Sequence, residues 1–322
     1  MKYAIISDIH GNFPALSAVI DDAKAQGVDE FWLIGDYVTD FPFPNEVTQL
    51  IKNLDRALVI RGNKEDYMQD IHRSKKADLS IQQIAAVACA YLGLEPENLE
   101  YLISLPKKIK GKTPLGTDFT LMHNSEIFFR KYDQRMHLFH SVDYAKEMDK
   151  SPFTHEEFLA ASRKELLNRQ DTLEDISKLS SGIYAFGHNH LQWHMEFEGK
   201  VFINPGACGI PLDFNAAAPY SILEETPQGF EVNERRVPYD YEMAIKALVS
   251  SDVFKHAEIW SRLIIYALRN SREATFPFLM YANSLAERAE TEENRRQNPV
   301  TNEIWEEAAR TFSDFDVYGI EI

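Results

Sequence analysis

The sequence predicts an α/β protein in which two sheets are flanked by helices. Short apolar runs alternate with helix-period segments over residues 1–63, a second group of short strands begins near residue 119, and polar clusters recur where the apolar runs end. The first pattern marks βαβ units and the second an added sheet. The third places chemistry at strand ends, where open α/β sheets bind ligands.

Residues 3–6 (Tyr-Ala-Ile-Ile) read as a buried strand that ends in a loop at residues 8–11. Pro14 suits a first helical turn, where its missing N–H costs nothing. Leu16, Val19 and Ile20 then recur at helical spacing. Residues 31–34 form a second apolar run, Val47, Leu50, Ile51 and Leu54 mark the next helix, and residues 57–60 a third strand. This β-α-β-α-β order implies a parallel sheet. Residues 71–92 read as one helix with Ile81, Ile84, Ala85 and Ala88 on a face. Further strands are expected at 119–122, 183–186, 193–197, 201–203, 220–223 and 230–237, the last two joined by a turn at Pro227-Gln228-Gly229.

Residues 126–179 separate clusters that belong to one site, so they are read as an excursion that returns, with helical composition over 156–179 and Phe158, Leu159, Leu166 and Leu167 as its stripe. It is either a helical cap packed on the core or a lid whose Arg130, Lys131 or Arg135 reaches substrate phosphate. Residues 241–322 form a helical C-terminal extension to a domain of residues 1–240, with helices at 243–248, 254–268, 278–288 and 302–312. The extension is expected to be a small subdomain, a homo-oligomer contact or a layer on the sandwich.

The chain has 322 residues, enough for one large domain or a core with an appended piece. Cys89 and Cys208 are too few for a disulfide framework, no apolar run nears the ~18 residues of a membrane span, and the first strand starts at once, leaving no room for a signal peptide. A cytoplasmic location without membrane contact is expected. Net charge is −16, which argues against nonspecific nucleic-acid binding. An anionic substrate remains compatible with that charge if cations make the site itself positive.

The chemistry lies in five clusters: Asp8-Ile9-His10, Gly35-Asp36, Gly62-Asn63, His123 and Gly187-His188-Asn189-His190. Singly, each has a plain alternative: Asn63 suits a turn, Asp36 a helix N-cap, and a lone histidine a surface or core position. Together, in this order, Asp8, His10, Asp36, Asn63, His123, His188 and His190 supply two carboxylates, one carboxamide and four imidazoles, an inventory for two divalent ions with a shared ligand. Mixed nitrogen and oxygen donors without thiolate suit Mn, Fe, Zn, Co or Ni and disfavour Ca and Mg. Mn is the first expectation.

This order resembles the calcineurin-like metallophosphoesterase superfamily. The runs DIHGNFPALSAVIDD (8–22), GDYVTDFPFPNEV (35–47), IRGNKED (60–66), FGHNH (186–190) and INPGACGIPLDFNAAAPYSILE (203–224) are similar to its bacterial phosphodiesterase-type branch. The resemblance implies a four-layer α/β/β/α sandwich and two divalent ions, the first on Asp8, His10, Asp36 and His190, the second on Asp36, Asn63, His123 and His188. Asp36, Asn63, Lys64 and His123 are the expected catalytic residues. The implied function is metal-dependent hydrolysis of a small phosphodiester or phosphomonoester by direct attack of a bridging hydroxide. A phosphoprotein phosphatase is the alternative enzyme, and a metal-binding interaction module without catalysis the alternative of another class.

Three positions depart from the family pattern. Lys64 stands where relatives carry a histidine; it is read as electrostatic, as an acid with a lowered pKa, or as a solvent-facing partner of Glu65. Thr39-Asp40-Phe41 replaces glycine-rich residues and is expected to narrow the pocket. Leu212 replaces a frequent arginine and removes a substrate contact. Gly206 and Gly209 are read as letting the backbone run close to metal or substrate, or as a tight turn.

Overall fold

The computed structural model describes residues 1–125, 170–289 and 299–312, with isolated positions between 154 and 164. The first sheet is laid down by β1 (Lys2–Ile6), α1 (Phe13–Ala25), β2 (Glu30–Ile34), α2 (Pro44–Lys52) and β3 (Ala57–Ile60). Helices α3 (Asn63–Ser74), α4 (Gln82–Gly93) and α5 (Pro96–Ser104) then lead to β4 (Lys108–Lys112) and β5 (Asp118–Met122). After α6 (Gln170–Ser177) come β6 (Gly182–Ala185), β7 (Gln192–Phe197), β8 (Lys200–Pro205), β9 (Ala218–Thr226) and β10 (Gly229–Val237).

Strands β1, β2 and β3 pair in parallel, as their order in sequence predicts. Strand β9 returns antiparallel to β1 and pairs with β10, so this sheet runs β10-β9-β1-β2-β3 and is mixed. The second sheet runs β4-β5-β6-β8-β7, with β5, β6 and β8 parallel. Because side chains alternate across a strand, Tyr3, Ile5, Trp32 and Ile34 face Phe119, Leu121, Ile183 and Ile203 between the sheets. Trp32 stacks on Phe119 with ring centroids 4.8 Å apart. The intervening residues Ala4, Ile6 and Leu33 bury against Leu16, Val19 and Ile20 of α1 and Val47 and Ile51 of α2. Helix, sheet, sheet and helix make the four layers; each fully buried side chain of this size contributes about 1.5–3 kcal/mol.

The last layer comes from the C-terminal extension. Helices α7 (Tyr241–Val249), α8 (Asp252–His256) and α9 (Glu258–Asn270) place Ile245, Leu248, Ile264 and Leu268 in one core with Phe186, Trp193 and Phe202 of the second sheet. Helices α10 (Thr275–Ala289) and α11 (Asn302–Thr311) add a satellite core on α9, where Phe278 meets Trp305 edge-on at 4.8 Å. The side chain of Asn302 accepts a hydrogen bond from Gln82 N at 3.0 Å, tying α11 to α4. The extension therefore layers on the sandwich and carries a small core of its own.

Several expectations change. The helix read over 71–92 is two helices: Lys75 leaves α3 at φ 54, and Asp78 Oδ1 accepts from Ser80 N and Oγ at 2.8 and 2.6 Å, a local turn that competes with helix. The helix read over 254–268 breaks at buried Ala257, whose φ −130 and ψ 48 lie outside the helical region. Helix α5 and the lysine-rich edge strand β4 were not anticipated. Arg130, Lys131, Arg135 and the stripe residues of the excursion lie outside the described residues.

Candidate metal centre

All seven residues singled out as ligands gather beyond the carboxyl ends of their strands. Asp8 and His10 follow β1, Asp36 follows β2, Asn63 opens α3 after β3, His123 follows β5, and His188 and His190 follow β6. Six positive-φ residues, Asp8, His10, Asp36, Asp40, His188 and His190, turn these loops at φ between 43 and 79. Aspartate and histidine tolerate that region better than most residues, yet each still costs on the order of 1–3 kcal/mol. Loop-to-loop hydrogen bonds hold them there: Asp8 N to Gly35 O at 3.0 Å, His10 N to Asp36 O at 3.0 Å, Gly187 N to His123 O at 3.0 Å and Gly209 N to Asp8 O at 3.0 Å. Close approach demands glycine at two of these places. A Cβ on Gly62 would collide with Asp36 Oδ1, and one on Gly209 with the Ile9 carbonyl. Gly209 thus presses its loop onto the 8–9 loop.

The donor atoms form two groups. In the first, His10 Nε2 lies 3.2 Å from His190 Nε2, and Asp8 Oδ1 lies 3.5 Å from His190 Nε2 and 4.0 Å from His10 Nε2. In the second, Asn63 Oδ1 lies 3.1 Å from His123 Nε2 and 3.0 Å from His188 Nδ1. Asp36 reaches both, with Oδ2 4.0 Å from His10 Nε2 and Oδ1 3.4 Å from His123 Nε2.

The outer faces of the rings fix which nitrogen has a lone pair to offer. His10 Nδ1 sits 2.6 Å from Asp40 Oδ2, His123 Nδ1 2.8 Å from Ile34 O and His190 Nδ1 2.9 Å from Ile210 O. Carboxylates and carbonyls accept, so each Nδ1 carries a proton, and the lone-pair site left to each ring is its inward Nε2. Two such lone pairs at 3.2 Å repel unless a cation lies between them. Asp8 Oδ1 is buried without a hydrogen-bond partner, which is costly for a carboxylate oxygen and fits the same cation. The donor set therefore fits metal ions.

Electrostatics agree. Among the protein's own charges, burial opposes protonation of His123, but Asp36 and Asp8 outweigh it and push its pKa up to about 10. Burial and that neighbouring charge push His188 down to about 4. Burial works against ionised Asp36 and Asp40, yet both are held well below the usual carboxylate range, Asp36 by His123 and His10, Asp40 by Lys64 and His10.

Lys64 does not pair with Glu65 in solvent. Its ammonium lies 6.0 Å from the centre of the Trp260 ring, and Asp40 and Asp36 raise its pKa against the effect of burial. Glu65 turns the other way and accepts from Asp36 N, Tyr37 N and Gly62 N at 3.0, 2.8 and 2.8 Å, capping α3 and fixing the Asp36 loop. Burial, then the Asp36 charge, lifts it to about 7.

Two residues escaped sequence reading. Asp40 does more than narrow a pocket: it holds His10, and its Oδ1 accepts from Trp260 Nε1 at 2.6 Å. A second acid four residues after Asp36 was its signal. Trp260 had none, being 220 residues away in the chain. Together with Ile264 and Leu279, Trp260 walls a cavity of about 220 Å³ above the ligands, and buried Leu212 lines the same cavity.

A family model described as calcineurin-like phosphoesterase matches residues 1–192. The uncharacterized protein MJ0912 of Methanocaldococcus jannaschii is 27% identical over 256 residues, 77% of this chain and 92% of the relative. The crystal structure of a metallophosphoesterase from Sphaerobacter thermophilus, 23% identical, superposes with a TM-score of 0.53 over 80% of this chain and 99% of its own. The hypothetical protein PH1004 from Pyrococcus horikoshii, 19% identical, gives 0.53 over 80% and 97%. These two share the fold. The match over residues 1–192 covers more than half of the chain, which belongs to the calcineurin-like phosphoesterase family, hydrolases of phosphoester bonds that use divalent metals.

Proposed function

We propose that the protein hydrolyses a small phosphoester with two divalent transition-metal ions, manganese first among them. Asp8, His10, Asp36 and His190 hold one ion, and Asp36, Asn63, His123 and His188 the other. The observation that carries this reading is the pair of inward Nε2 atoms 3.2 Å apart, with both Nδ1 protons committed outward, beside the unpartnered Asp8 oxygen. When bound, two ions supply an activated water for in-line attack and stabilise the charge that builds on phosphorus.

The chain's own residues orient and exclude. Asp36 offers one oxygen to each donor group. Lys64 brings a fixed positive charge to the cavity, where it neutralises phosphoryl oxygens; its raised pKa suits charge stabilisation and not proton donation near neutral pH. Helices α9 and α10 wall the cavity. The helical wall beside the donor atoms supports a small ester over a phosphoprotein, which needs an open groove. The complete donor set argues against a module without catalysis. The acidic chain and its two free cysteines support a cytoplasmic enzyme that does not bind nucleic acid nonspecifically.

The test is chelation followed by metal return. Chelated protein should not hydrolyse bis(p-nitrophenyl) phosphate or p-nitrophenyl phosphate, Mn²⁺ should restore turnover, and elemental analysis should find two ions per chain. Turnover by protein shown to be metal-free would overturn the reading.

A further inference from the structure

The cavity has two chemically different kinds of lining. Its floor holds the ligand cluster and the Lys64 ammonium. Its apolar lining comes from Ile264, Ala267, Phe276 and Leu279 of α9 and α10 and from Ile210 and Leu212 beside His190, and Ile210, Leu212, Ile264 and Ala267 are buried. Lys64 is the one Lys or Arg among the described lining residues. Glu273 and Thr275 are polar exceptions on the helical side of the lining, and Glu273 Oε1 is engaged there, accepting from Thr275 N at 2.7 Å, Thr275 Oγ1 at 2.7 Å and Phe276 N at 3.2 Å.

A ligand that touches both kinds of lining meets a demand at each. The floor takes one phosphoryl group. Along the helical wall a second phosphate would find no lysine or arginine among the described residues and would lie near the Glu273 carboxylate. A hydroxyl-rich sugar would lose water without gaining partners, at a cost for every unpaired group. An apolar group gains from the same wall. At about 220 Å³ the cavity is smaller than the ~300–1,000 Å³ of drug-sized pockets, which limits the organic part to one ring or a short chain.

We infer that the substrate carries a single phosphoryl group esterified to an apolar alcohol, and that helices α9 and α10 form the subsite for that alcohol. This rests on the phosphoesterase reading above and names the substrate class of the same site. Hydrolysis consumes one water. Its oxygen forms the new P–O bond, the P–O bond to the alcohol breaks, and one water proton ends on the alcohol oxygen while the other leaves with the phosphate or to solvent.

The experiment measures competitive inhibition of the Mn²⁺-loaded protein, with p-nitrophenyl phosphate as reporter. Methylphosphonate, phenylphosphonate, 2,3-dihydroxypropylphosphonate and phosphonoacetate are compared. Phenylphosphonate should bind about 10–30-fold more tightly than methylphosphonate. The dihydroxypropyl compound and the second anion should gain nothing. Leu279→Asn, at a partly exposed position, should shrink the phenyl-to-methyl ratio towards 1. Equal or better binding of the polar or doubly charged compounds, or a phenyl preference that survives Leu279→Asn, overturns the inference while leaving the phosphoesterase reading intact. Absence of turnover and of inhibition by all four compounds overturns both.

Discussion

Asp40 grips two residues with the two oxygens of one carboxylate: Oδ2 lies 2.6 Å from His10 Nδ1, and Oδ1 accepts from Trp260 Nε1 at 2.6 Å. A carboxylate behind a ligating imidazole fixes its tautomer and raises its basicity, and loss of such a partner costs about 10–100-fold in metal affinity or activity. Asp40→Asn should weaken the first ion by about that factor, read by metal titration. Trp260→Phe keeps the ring and removes only the N–H, so its loss should be smaller. Equal metal binding in wild type and Asp40→Asn would remove this role.

Asp36→Asn should be the most damaging ligand substitution, because one carboxylate serves both donor groups. Elemental analysis should show both ions lost together. Retention of both would show that Asp36 is not shared.

Lys64→Ala should slow aryl and alkyl esters by similar factors, since an ammonium with a raised pKa stabilises charge and does not protonate a leaving group at neutral pH. A loss confined to alkyl esters would instead assign it proton transfer.

Metal binding should release a proton from His123. Without a bound cation, the carboxylates hold this imidazole protonated up to about pH 10, whereas His188, at about 4, is already neutral at pH 7. A cation must displace that proton, so affinity should rise about tenfold per pH unit between roughly pH 7 and 9. Calorimetry at pH 8 in buffers of different ionisation heat should count about one proton released for the pair of ions. No buffer dependence would contradict this.

Acid stability should register Asp22. Its carboxylate accepts from Arg235 Nε and Nη2 at 2.7 and 2.9 Å, and this pairing, against some burial, lowers its pKa below 3.8. A lowered folded-state pKa stabilises above the unfolded value and is lost as pH falls through the folded one. Asp22→Asn should therefore cost about 1–2 kcal/mol in urea unfolding at pH 7, with the gap to wild type closing below about pH 4. A gap that keeps its full size as the pH falls through the carboxylate range would assign the loss to packing.

The strands and the convergence of the seven candidate positions were legible because each of the seven sits where an apolar run stops, a pattern local to a few residues. The break at Lys75 was not, because residues 71–92 keep helical spacing across a turn made by Asp78 and Ser80. Strand β4 was hidden for a related reason: Lys108, Lys110 and Lys112 suit an exposed edge and give no apolar signal. Asp40 stood in plain view, but its role depends on Trp260, and nothing in the amphipathic pattern of α9 says which face meets residue 40. Of the three roles read for Lys64, the solvent-facing pair with Glu65 falls away because the fold turns the two side chains apart.

The order of the chain gives the site a timetable during synthesis. Every converging side chain belongs to residues 8–190, whereas the helical wall begins at Glu258, about 70 residues later, which at ~5–20 residues per second is a delay of roughly 4–14 s. A nascent chain that folds as it leaves the ribosome would present an open cup to metal before Trp260 exists to reach Asp40. Walling the cup is left to helices made later than the residues they cover.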